Sequence, residues 1–135
     1  MTVWRMPFVG VMLIAAWGAP ASLAAAGPYD GSRPLLCAVD AIAECDSSGR
    51  CERHLPDVNA PRFIRVDVAG KAITADGNRR SPLGSTMHVD GELILQGGEN
   101  GRGWSATIDE ETGRMAVALV DNDYTFSFFG ACTIP

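Results

Sequence analysis

The sequence has no CxxC pair, no GxSxG elbow, no GK[ST] phosphate loop and no D-x-[DN]-x-[DN]-G calcium loop. The first absence excludes the usual dithiol redox centre and the close cysteine pairs of structural zinc. The second leaves no serine placed beside a base for nucleophilic attack. The last two remove the common phosphate and calcium cradles, so no cofactor or metal is expected. Histidine is scarce too. His88, in TMHVDG, sits opposite Met87 and Val89 in the alternation and is predicted to face solvent, and His54 falls at a strand end or loop. Basic charge is short: 11 Lys and Arg stand against 16 Asp and Glu. A net acidic surface lacks the stripe that neutralises phosphates, which excludes nucleic acid as a partner. The isolated Arg79–Arg80 pair is expected in a solvated turn. Internal repeats and long linkers are also missing, so one domain is expected.

Long apolar runs are confined to the first segment, where Arg5 precedes a run from Phe8 to Trp17 and a tail of small residues. That run is well short of the roughly 20 residues a membrane-spanning helix needs. Residues 1–26 therefore read as a cleaved secretory leader, cut before Gly27, with a second site before Ala25. Removing it takes away one charge, Arg5, and no cysteine follows the cut to accept a lipid. The mature domain is 27–135, with GPYDGSRP expected to be loose until Leu35. The expected location is periplasmic or secreted, with no stable membrane insertion after cleavage.

Export places Cys37, Cys45, Cys51 and Cys132 in an oxidising compartment, where an even number implies bridges. Three pairings are open. Cys45–Cys51 with Cys37–Cys132 is preferred, because the intervening DSSGR suits a tight reversal. The long pair would tie the start of the domain to its end.

From Leu35 onward the pattern has period two, broken by short turn signals. Ile64, Val66 and Val68 share one face; Met87 and Val89 alternate before Asp90–Gly91, and Leu93 and Leu95 follow. An Asp-Gly pair between alternating runs is a strong hairpin signal. GGENGRG reads as a flexible hairpin with Arg102 near its tip. Trp104, Ala106 and Ile108, then Met115, Val117 and Leu119, then Tyr124, Phe126 and Phe128 continue the inward set. With candidate strands near 35–44 and 50–54, the fold class is all-β. The expectation is an antiparallel meander of about eight strands, a closed or strongly curled barrel stapled by disulfides, with a two-sheet sandwich as the alternative. Bulky inward residues in so short a chain predict a filled interior. Phe129, on the opposite face from Phe126 and Phe128, is expected to cap a barrel end.

Without a catalytic constellation, the function expected is an exported, non-catalytic binding module. Its partner would be a protein or a component of the cell envelope. Asp109, Glu111, Asp121 and Asp123 fall in successive turns and, with Arg102, are the candidate contact rim. The alternatives are a carrier of a small apolar ligand inside the barrel and a hydrolase using those turn carboxylates. Turn chemistry accounts for the acids more simply.

GELILQGGENGRGWSATIDEETGRM followed by FGAC resembles a pattern in uncharacterised secreted bacterial proteins, over about 35–133. More distantly, the leader, the small meander and the near-terminal cysteine are similar to periplasmic inhibitors of C-type lysozyme. That resemblance implies a small barrel whose loops block an enzyme cleft. It assigns no residue a role.

Overall fold

A computed structural model describes residues 27–54 and 60–135. The expected leader, residues 1–26, lies outside the described residues. The chain forms β1 (Leu35–Asp46), β2 (Cys51–His54), β3 (Phe63–Asp67), β4 (Ala72–Ala75), β5 (Arg79–Val89), β6 (Glu92–Glu99), β7 (Arg102–Asp109), β8 (Arg114–Val120) and β9 (Tyr124–Thr133). The one helical element among the described residues is a 3-10 turn at Asp76–Asn78. Every pairing is antiparallel, and β1 also pairs with β9, so eight strands close into a barrel and β2 is an extra strand beside β1. Closure follows from the meander: once the first and last strands meet, none of the eight is an outer edge strand.

The turns are built as their residues demand. Asp90 and Gly91 both have positive φ, 51° and 83°, as do Asn100 and Gly101, at 48° and 77°. Two successive left-handed residues match the right-handed twist of the flanking strands. GGENGRG is thus a hairpin as expected, a tight reversal with Glu99 opposite Arg102 near its tip. Arg79 and Arg80 do not lie in a turn; they open β5, opposite Ala75 and Thr74.

Cys37–Cys132 and Cys45–Cys51 are the disulfides, spanning 95 and 6 residues. The long bridge joins directly opposed residues of β1 and β9 in the buried interior.

Hairpin after hairpin, the turns alternate between the two ends of the barrel. One end carries the β3–β4, β5–β6 and β7–β8 turns, and it is plugged. Residues 27–34, expected to be loose, pack across it instead. Tyr29 N–H donates to the Glu110 carbonyl at 2.9 Å. Gly31, buried and at φ 79°, is pressed against Val68 and Leu93 where no side chain fits. Beneath this plug Leu35, Cys37, Leu93, Leu95 and Ile108 are wholly buried.

Candidate functional site

The other end is open. It is ringed by the β1–β2, β6–β7 and β8–β9 turns and the 3-10 turn, and a cavity of about 580 Å³ runs down from it. The expectation of a filled interior therefore holds for the plugged half and fails for this one. Two features explain the space. β1 pairs with β3 only over Leu35–Ala38; further on, the same edge of β1 pairs with β2. The wall parts between them, with Ala60 and Pro61 at the gap. A small residue, Ala75 on β4, also stands where a larger one would fill the space.

The lining is mostly apolar: Ile42, Ile64, Ile73, Val117, Leu119 and Phe128, with Phe126 stacked on Phe128 at a centroid distance of 6.3 Å. Trp104 faces inward as expected and is buried. Its indole crosses to Gly97 on the neighbouring strand and donates through Nε1–H to Ser81 Oγ at 2.8 Å. Ser81 is buried, and its own O–H has no acceptor among the described residues. The charged residues of the lining are Glu44, Arg79, Arg80, Glu99 and Arg102. Arg102 Nε lies 3.5 Å from Asp121 Oδ2, and Arg79 Nε donates to the Asp76 carbonyl at 3.3 Å. A cavity of this size, apolar with a few converging polar groups, is the usual form of a small-molecule site.

The acidic turns do not share a rim. Asp109 and Glu111 sit at the plugged end, whereas Arg102, Asp121 and Asp123 sit at the open one, because β8 runs the length of the wall between them. Each turn uses its first aspartate internally. Asp109 accepts from the N–H of Thr112 at 2.7 Å and of Glu111 at 3.0 Å. Asp121 accepts from Asp123 at 2.9 Å and Tyr124 at 2.8 Å. The Thr112 N–H first, then its hydroxyl, hold the Asp109 carboxyl below its ordinary range. For Asp121 the Asp123 and Tyr124 N–H groups do the same, helped by Arg102. Carboxylates committed to their own turns favour the charged form and shape the reversal.

His88 is exposed as expected, with 53% of its side chain open to solvent, but its place in the alternation differs. It lies opposite Met87 and Val89; all three are exposed, and the His88 strand position falls on the side of buried Leu93. A bulge at Gly84 shifts the β5–β6 register between Leu83 and Ser85 and inverts the alternation beyond it. His88 Nδ1 thereby comes within 2.5 Å of Oε1 of Glu110, a buried carboxylate at the plugged end. Phe129 is corrected too. It projects from the outer wall between Ala41 and Ala116, half exposed, and caps neither end. The His54 side chain lies outside the described residues.

The chain matches no family model, no curated protein and no solved structure. The barrel is what the chain is, and its chemistry rests on these residues alone.

Proposed function

We propose that this protein is an exported, non-catalytic binding barrel that carries a small apolar ligand in its open half. The single observation behind this is the apolar cavity of about 580 Å³ above the plug. A loop-borne contact with a partner protein gains less support, because its candidate acids are divided between opposite ends. Catalysis gains less still: the acids serve as turn acceptors, and the four thiols are consumed in bridges. Export accords with both disulfides, which persist in oxidising compartments, and with the leader composition of residues 1–26.

Trp104 is the only tryptophan in 27–135 and lines the cavity, so it reports occupancy. Protein from the exported fraction, with an intact mass beginning at Gly27 or Ala25, is titrated with hydrophobic dyes and medium-chain lipids. Saturable change in Trp104 emission at micromolar ligand is the expected result. Emission that stays flat across the panel would end the carrier proposal.

A further inference from the structure

The mouth of the cavity is not uniform in charge, and the difference suggests what ligand it holds. On one flank Arg102 lies across the hairpin from Glu99 and close to Asp121, so its charge is matched. On β5, on the other side of β6, Arg79 has no carboxylate within ion-pair distance among the described residues. Its Nε donates to a backbone carbonyl, which is an uncharged partner. The nearest acid in sequence, Asp76, already accepts from the N–H of Arg62 at 2.6 Å and of Phe63 at 3.4 Å. Arg80 directs its Nη2 to the Gly70 carbonyl. Glu44, across the cavity, is engaged in an interaction of its own.

Arg79 and Ser81 are two residues apart on β5, so both face inward, one at the mouth and one a layer deeper. Together they put a guanidinium and a hydroxyl proton on one wall of a chamber that is charged at its mouth and mostly apolar below. We infer that the ligand is an amphiphile with one anionic oxygen head, of the long-chain monocarboxylate class. Its head is held at Arg79 and its chain runs down against Trp104, Leu119 and Phe128. A planar guanidinium matches a carboxylate through two parallel hydrogen bonds, which an alcohol cannot accept in the same way. The chain supplies affinity by burial, at about fourfold per methylene.

This rests on the carrier proposal and sharpens it, so the test separates the two. Dodecanoate, dodecanol and dodecylammonium, each below its aggregation limit at pH 8, are titrated into the purified protein by calorimetry and by Trp104 emission. The expected order is dodecanoate tightest, about tenfold or more ahead of dodecanol, with dodecylammonium weakest. Arg79→Gln should cost dodecanoate about tenfold and leave dodecanol within about twofold, with an unchanged melting temperature. Equal binding of acid and alcohol, tighter binding of the amine, or an equal loss of both in Arg79→Gln overturns the anionic head and leaves the cavity standing. No binding by any of the three overturns the carrier proposal itself, and this inference with it.

Discussion

Glu110 and His88 illustrate how a single side chain changes meaning once its neighbours are known. In the sequence Glu110 is the middle acid of the run Asp109-Glu110-Glu111, and its flanking aspartate behaves as an ordinary turn acceptor. In the barrel it is the buried member, with His88 as its side-chain partner and its own carbonyl holding Tyr29 of the plug. A buried polar side chain stripped of its hydrogen-bond partner loses more than the value of one hydrogen bond, because it stays desolvated. His88→Ala should therefore destabilise the domain by about 1–3 kcal/mol in urea unfolding. Ligand affinity at the far end should be unaffected. Glu110→Gln keeps a hydrogen-bonding group at the site and should lose less. Wild-type stability in His88→Ala would mean that water satisfies Glu110.

At the scale of elements, parity along a strand is legible for as long as its register is unbroken. β6 through β9 place Leu93, Leu95, Trp104, Ala106, Ile108, Met115, Val117 and Phe128 inside, as period two requires. β1 and β5 carry bulges, between Val39 and Ala41 and at Gly84, and each reverses the faces beyond it. Gly84, an isolated glycine within a strand, is a local signal for its bulge, whereas Asp40 in β1 has none. Gly97, beneath the Trp104 indole, is the element-level counterpart on β6. A Cβ there would meet Trp104 Cζ2 at 2.4 Å and the Pro82 carbonyl at 2.4 Å. The glycine thus leaves room for the indole to lie flat across β6. Gly97→Ala should cost about 1–3 kcal/mol by overpacking and should shift Trp104 emission in the unliganded protein. An unchanged emission and midpoint would show that the ring relocates freely.

For the whole molecule, the two disulfides do different work although both are intact. Cys37–Cys132 closes a loop with a sequence separation of 95 and joins the strands that seal the barrel. Cys45–Cys51 closes a separation of 6 at the exposed β1–β2 turn. Loop-closure entropy makes the first worth about 4–5 kcal/mol and the second about 2 kcal/mol. Paired serine substitutions should show that ranking in urea midpoints. Equal losses would mean that strand pairing, rather than chain entropy, governs what each bridge contributes. The long bridge also sits in the plugged half, so its loss should loosen the seal between β1 and β9 before it alters the cavity lining.

The sequence by itself determined the β class, the antiparallel order, the tight Asp-Gly reversal and the inward set of β6 to β9. These follow from interactions between residues a few positions apart, where side-chain alternation and backbone dihedral preference act locally. It also made Cys37–Cys132 and Cys45–Cys51 the favoured pairs, which the fold then selected from three arrangements. Only the tertiary structure decided that the interior is plugged at one end and hollow at the other. Cavity volume is the difference between wall spacing and side-chain volume. The spacing here depends on β1 exchanging β3 for β2 along one edge, and on residues 27–34 lying across the far end. The separation of the acidic turns and the pairing of His88 with Glu110 have the same origin. Each depends on which strands meet and in what register, and those are properties of the closed barrel.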